Sequence, residues 1–295
     1  MSVFADRLYP RESAEFIVAN STSNMELCQE GILKVAQLII DNSDFTENTY
    51  FAVDVHRQVA DRKTIDCVTF HGKQYTGYLA ACACINRALE ENIPITSSSY
   101  MENVTPDDVR KIFKTDDGSE IPLLQERVNV LNEAGRILNQ KFDGNFYNCI
   151  LKCNKSAVKL MKDVVENFES YRDFATYKGQ KKLFTCYSEL TMFPDYRVPQ
   201  VLHFLDVLKY SSTLMKQLDG KELLQNGSEY EVEIRGFSIK ACDDIVKVIR
   251  QKITDVNDTK YNAAYVDNFL WLYRRKNAKR IEETVPFHRT RCIYY

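Results

Sequence analysis

Leu123-Leu124-Gln125-Glu126-Arg127-Val128-Asn129-Val130-Leu131-Asn132-Glu133-Ala134-Gly135-Arg136-Ile137-Leu138-Asn139-Gln140-Lys141-Phe142 places Leu124, Val128, Leu131, Ala134, Ile137 and Leu138 three and four residues apart. That spacing puts them on one face of an α-helix, which predicts a helix over 123–142 that stops near Gly144. The same period recurs over Glu30–Asp41, Tyr78–Glu90, Ser156–Phe168, Pro199–Leu218, Ser238–Ile253 and Tyr261–Lys276. Thr105-Pro106-Asp107-Asp108 joins a capping hydroxyl, a proline at the first helical position and acids in the positive first turn, so another helix starts there. Two stretches read differently. Ile65–Tyr75 carries β-branched and aromatic residues on both sides of His71-Gly72, the pattern of a short hairpin, and Tyr230-Glu231-Val232-Glu233-Ile234 alternates like a strand. The expectation is a mainly α protein: one helical domain over residues 1–295 with minor β structure.

The 295 residues are 44% hydrophobic and 27% charged, enough to bury a substantial core. Thirty-nine basic residues against 41 acidic ones give a net charge of −2, so no general field draws nucleic acid and any anionic ligand must be met locally. No apolar run is long enough to cross a bilayer, and Met1-Ser2-Val3-Phe4-Ala5-Asp6-Arg7 lacks a signal-peptide core, which predicts a cytoplasmic protein without a membrane partner. Nine scattered cysteines fit a reducing compartment. Cys149 and Cys153 share one helical face but have no histidines at zinc-site spacing, so they read as small core residues and no metal is expected.

Walker loops, dinucleotide glycine fingerprints, His-Glu-x-x-His and Gly-x-Ser-x-Gly are all absent from the sequence. Chemistry must come from segments that mix polar and aromatic residues. In Thr191-Met192-Phe193-Pro194-Asp195-Tyr196-Arg197-Val198-Pro199-Gln200, two prolines fix a turn and set Asp195 just before a helix. Asp195 is either a helix N-cap or a rigid carboxylate that stabilises positive charge on a sugar, with Phe193 and Tyr196 stacking on a planar base. Leu208-Lys209-Tyr210-Ser211 offers Lys209 and Tyr210 to an anion, although Lys209 reads equally as a solvated helix residue. Asp267-Asn268-Phe269-Leu270-Trp271 holds the only tryptophan and is either an aromatic core stripe or a site where Asp267 meets a base amine. Glu233-Ile234-Arg235-Gly236 is explained by an Arg–Glu pair on a strand. His56, one of four histidines, is a further candidate contact, although lone histidines are more often structural.

The tail Pro286-Phe287-His288-Arg289-Thr290-Arg291-Cys292-Ile293-Tyr294-Tyr295 is too aromatic to hang in water. It predicts a docked segment in which Phe287, Ile293 and Tyr294 cap the core while His288, Arg289 and Arg291 seek carboxylate or phosphate partners.

Taken together, the residues resemble the queuosine salvage proteins, the queuosine 5'-phosphate N-glycosylases. The resemblance rests on Pro10-Arg11-Glu12-Ser13, Tyr75-Thr76-Gly77-Tyr78 with Asn86-Arg87-Ala88-Leu89, Ile93-Pro94-Ile95-Thr96-Ser97, and Phe193 through Gln200. It continues through Leu208-Lys209-Tyr210-Ser211, Glu231 through Gly236, Asp267 with Leu270-Trp271, and the tail. It implies a mainly helical fold of DNA-glycosylase-like architecture and hydrolysis of the N-glycosidic bond of queuosine 5'-monophosphate, freeing queuine for tRNA modification. By the same resemblance Asp195 is the catalytic aspartate, with Phe193, Tyr196 and Arg197 around it and Asp267 on the base. Lys209, Arg289 and Arg291 are the candidates for the 5'-phosphate, and His56, Tyr210 and Trp271 complete the expected substrate contacts. The substrate is a small nucleotide, no cofactor is called for, and no direct nucleic-acid contact is expected.

Two family segments have no counterpart. An aromatic segment with Asp before Leu-Asn-Phe is missing where Thr64-Ile65-Asp66 runs into Cys67-Val68-Thr69-Phe70. A Lys-x-Ala-Gln-Ile segment is missing where Lys181-Lys182-Leu183-Phe184 passes to Tyr187-Ser188-Glu189-Leu190. The alternative expectation is therefore a catalytically impaired queuine-binding or structural relative.

Overall fold

A computed structural model of the chain describes residues 9–22, 24–43, 67–184, 191–253 and 260–295. The fold is mainly α, with only short antiparallel strand pairs among the described residues. It divides into two compact units, Met1–Phe51 with Arg172–Tyr295, and Ala52–Tyr171.

The larger unit contains α1 (Pro10–Asn20), β1 (Met25–Leu27) and α2 (Gln29–Asp41), and within the other unit lie β2 (Val68–Phe70), β3 (Lys73–Tyr75), α3 (Tyr78–Glu90), α4 (Ser98–Glu102), α5 (Pro106–Ile112), α6 (Leu124–Lys141), α7 (Phe146–Lys152) and α8 (Ala157–Asn167). The larger unit resumes with β4 (Phe174–Tyr177), β5 (Gln180–Leu183), α9 (Arg197–Phe204), β6 (Leu208–Tyr210), α10 (Ser212–Asp219), α11 (Glu229–Lys252), α12 (Ala263–Lys276) and α13 (Ala278–Thr284).

In the smaller unit, α3 and α6 fall where their apolar periods put them. The Thr105 hydroxyl accepts from Asp108 N–H (3.2 Å) while the Asp108 carboxylate accepts from Thr105 N–H (2.9 Å), a reciprocal cap that starts α5. His71 (φ 48°) and Gly72 (φ 72°) turn the β2–β3 hairpin; Ile65 and Asp66, the start of the expected hairpin, lie outside the described residues. Cys149 and Cys153 are buried core thiols, and every cysteine among the described residues is free.

In the larger unit, α11 is the axis, packed by α1, α2, α9 and α12. Tyr230–Ile234 is the first turn of this helix, not a strand. The alternation misled because it does not separate core from solvent: Val232 and Ile234 are buried, and so are Glu231 and Glu233. Their charges are met inside the unit. Glu233 accepts from Tyr177 Oη (2.6 Å) and Asn24 Nδ2 (3.0 Å), and Glu231 lies one turn before Arg235 and pairs with it (3.2 Å). Arg235 thus finds a glutamate along the helix, Glu231, and not the Glu233 of the tetrapeptide in which an Arg–Glu pair on a strand was expected.

The helix expected over Pro199–Leu218 is broken into α9, β6 and α10. Asp206 takes a left-handed conformation (φ 57°), and the backbone here runs against Gly31 of α2, where an added Cβ would stand 2.3 Å from Asp206 O. Apolar spacing carries no record of that close approach. The tetrapeptide Pro10-Arg11-Glu12-Ser13 ties α1 down: Arg11 grips Asp243 of α11 through two bonds (2.6 and 3.2 Å), and Ser13 Oγ accepts from Leu183 N–H of β5 (3.2 Å).

Candidate active site

Phe193-Pro194-Asp195 closes a three-residue turn in which Asp195 N–H donates to Phe193 O (2.8 Å). Asp195 Oδ1 then accepts from the N–H groups of Arg197 (2.8 Å) and Val198 (2.9 Å), the first two residues of α9. One carboxylate oxygen thus satisfies the orphan donors of a helix N-terminus, and Oδ2 makes no hydrogen bond among the described residues. The two readings of Asp195 are compatible, because the cap uses one oxygen and leaves the other for a ligand.

Asp267, nearly buried on α12, accepts from Phe193 N–H through Oδ2 (3.0 Å). The Phe193 residue therefore binds both segments, its N–H to Asp267 and its carbonyl to Asp195. Burial, aided by the Asp195 charge and opposed by the Phe193 hydrogen bond, pushes the Asp267 carboxyl up to about 7. Burial also raises Asp195, against the pull of its two backbone donors and of Arg197 and Arg274. Two carboxyls joined through Phe193, both with raised affinity for protons, make this cluster the candidate site.

Aromatic surface flanks the pair. The Phe193 ring is 66% exposed, an apolar face open to a flat partner. Tyr196 packs against Phe287 (5.5 Å between centroids) and Tyr295 (6.5 Å) of the docked tail. Arg197 lies over Phe287 (4.2 Å), bonds Gln200 Oε1 (3.3 Å) and pairs with Glu282 of α13 (3.5 Å), which also holds Arg274. Arg289 lies over the same Phe287 ring (4.4 Å), and the described structure gives it no carboxylate partner. Trp271 follows Asp267 by one turn on α12 and carries Arg275 over its ring (4.9 Å).

The structure thus gathers Phe193, Asp195, Tyr196, Arg197 and Asp267, and reaches Arg289 through Phe287. It does not bring Lys209 to this cluster: the side chain is exposed on β6 opposite Glu26 of β1 and within the field of Glu30. Tyr210 stacks on His203 (4.3 Å) and donates to Pro199 O (3.4 Å), bracing α9. His56 lies outside the described residues. The sequence reading missed Arg274 and Glu282, which flank the cluster but sit in helices that read as ordinary charged amphipathic segments. It also missed the inward role of Tyr295.

The model of the family described as queuosine salvage protein matches residues 56–186 and 181–295. The chain belongs to this family. A mouse relative named queuosine 5'-phosphate N-glycosylase/hydrolase is 38% identical over 98% of this chain and 99% of its own length. A bovine relative of the same name is 37% identical with the same coverage, and one from Nematostella vectensis is 32% identical. The mouse alignment runs over 340 positions, more than the 295 residues of this chain, so stretches present in that relative are missing here. Among the described residues no helix is long and apolar enough to cross a membrane, and no group of three metal-binding side chains is found.

Proposed function

We propose that this protein hydrolyses the N-glycosidic bond of queuosine 5'-monophosphate, releasing queuine and ribose 5-phosphate. The observation that carries the reading is the Asp195–Asp267 pair joined through Phe193, beside an exposed aromatic ring.

As the C1'–N bond of the nucleotide lengthens, positive charge develops on the ribose, and the unengaged Oδ2 of Asp195 is the group placed to stabilise it. Water supplies the hydroxyl that bonds to C1', and the proton lost from that water leaves through Asp195. The departing base keeps the electron pair of the broken bond. Queuine is a 7-deazaguanine and has no ring nitrogen at position 7 to protonate, so the proton must reach another atom of its rim. Asp267 suits this task because its carboxyl holds a proton near neutral pH. Phe193 and Tyr196 supply the walls on which the heterocycle stacks. The 5'-phosphate is assigned to Arg289, whose guanidinium has no carboxylate partner among the described residues while those of Arg197 and Arg274 share Glu282. The reaction draws on no cofactor, and a reducing cytoplasm suits the free thiols.

The test is incubation of purified protein with queuosine 5'-monophosphate and detection of queuine. Release by wild type and its loss in Asp195→Asn is the expected result; no release above background by wild type rejects the assignment.

A further inference from the structure

The tail bears on the site through a chain of groups that the chemistry above does not use. Glu231 is fully buried, with Oε2 accepting from Gly227 N–H (3.0 Å) and Oε1 accepting from Arg235 Nη1 (3.2 Å) and from the Tyr295 hydroxyl (2.7 Å). Arg235 is clamped in turn by both oxygens of Asp173. His288, also buried, places Nε2 3.1 Å from the Tyr295 oxygen. A phenol has one proton, and here it faces a carboxylate that can only accept. His288 must then donate from Nε2, which orders every proton from the imidazole through the phenol to Glu231. The Tyr295 ring so fixed lies under Arg235 (5.6 Å) and packs against Tyr196 (6.5 Å).

We infer that Tyr295 is a positioning residue: its hydroxyl, locked between His288 and Glu231, makes the buried Asp173–Arg235–Glu231 cluster the rigid backing for Tyr196, the aromatic wall next to Asp195. This inference rests on the function proposed above. Three further contacts hold the tail to the same unit, so the Tyr295 hydroxyl is not needed merely to dock it. Leu224 N–H donates to Arg289 O (2.7 Å), Tyr294 Oη donates to Arg172 O (2.8 Å), and Phe287 carries Arg197. Loss of the Tyr295 hydroxyl frees its ring, and Tyr196 then loses its fixed distance from the reacting carboxylate.

The experiment compares Tyr295→Phe with Tyr294→Phe, which removes the other tail hydroxyl, bonded to Arg172 O and not to His288 or Glu231. The readouts are the ring NMR signal of Tyr196, assigned through Tyr196→Phe, and kcat and KM for queuosine 5'-monophosphate. Tyr295→Phe should shift the Tyr196 signal and lower kcat/KM about tenfold, as expected for a wall displaced by a fraction of an ångström, while Tyr294→Phe changes neither. His288→Leu should follow Tyr295→Phe, and His288→Gln, which keeps an N–H donor, should recover most of the loss. An unchanged Tyr196 signal in Tyr295→Phe, an unchanged kcat/KM, or equal effects from Tyr294→Phe overturns the inference. Wild-type protein without turnover defeats the proposed function, whereas the NMR comparison still decides whether Tyr295 sets Tyr196.

Discussion

Asp195 and Asp267, 72 residues apart in sequence, are bound to opposite ends of one residue: Phe193 takes the Asp195 N–H on its carbonyl and gives its own N–H to the Asp267 carboxylate. The link fixes their separation without a direct hydrogen bond between them. Burial beside the Asp195 charge raises the Asp267 carboxyl, and the Phe193 donor offsets only part of that rise.

Asp267 sets a pH-dependent stability term. Its carboxyl is raised from 3.8 to about 7, so the folded state holds a proton that the unfolded chain releases, and stability is lost as pH rises from about 4 through about 7. Asp267→Asn keeps an oxygen for the Phe193 N–H and cannot ionise. The variant should be more stable than wild type well above pH 7 by on the order of 4 kcal/mol, with the difference vanishing near pH 4. Urea denaturation across this range checks it; a gap that widens toward acid refutes it. His288 contributes the opposite slope. Burial and the Arg235 charge push it down to about 3, so its contribution is lost as pH falls from about 6.5, and Asp267→Asn should unmask that slope.

Asp195 should separate stability from activity. In Asp195→Asn, the amide oxygen can still accept from Arg197 and Val198, so stability should change by less than about 1 kcal/mol. In Asp195→Ala, the lost cap costs about 1 kcal/mol. Both should lose turnover of queuosine 5'-monophosphate by a factor of about a thousand or more, the scale of removing a group that stabilises developing charge. Thermal melts beside single-turnover assays distinguish the two roles, and an Asn variant with near wild-type turnover assigns the chemistry elsewhere.

What could be read in advance follows the range of the interactions. The helical fold, the α5 cap and the position of Asp195 before α9 depend on neighbours within a few residues, so periodicity and capping chemistry exposed them. The break after α9 depends on Gly31, and the burial of Glu231 and Glu233 depends on Tyr295, Tyr177 and Asn24, all distant in sequence. Lys209 shows the same limit. The tetrapeptide could not reveal that Glu26 would face it across two strands.

The buried cluster behind Tyr295 should be costly to break and cheap to replace whole. Arg235→Met strands the Glu231 and Asp173 carboxylates without their cation and should destabilise by about 3–5 kcal/mol. The triple variant Arg235→Met, Glu231→Gln, Asp173→Asn removes all three charges and should recover much of that loss. Equilibrium unfolding of both variants tests the argument: if the triple variant is no better than the single one, charge burial is not the source of the cost.

Arg289 is the residue by which phosphate recognition can be isolated. Its guanidinium is held over Phe287, the ring that also supports Arg197 and Tyr196, and its backbone carbonyl is pinned by Leu224 N–H, so its removal should leave the tail docked. A charge-assisted contact to phosphate is worth roughly 1.5–3 kcal/mol, so Arg289→Ala should weaken use of the 5'-monophosphate about ten- to a hundredfold. The nucleoside lacking the phosphate cannot make this contact and should be used equally by both proteins. The ratio of kcat/KM for the two substrates is the measurement. A collapse of that ratio in Arg289→Ala places the phosphate on Arg289, and an unchanged ratio with both values lowered means that Arg289 only supports the aromatic wall.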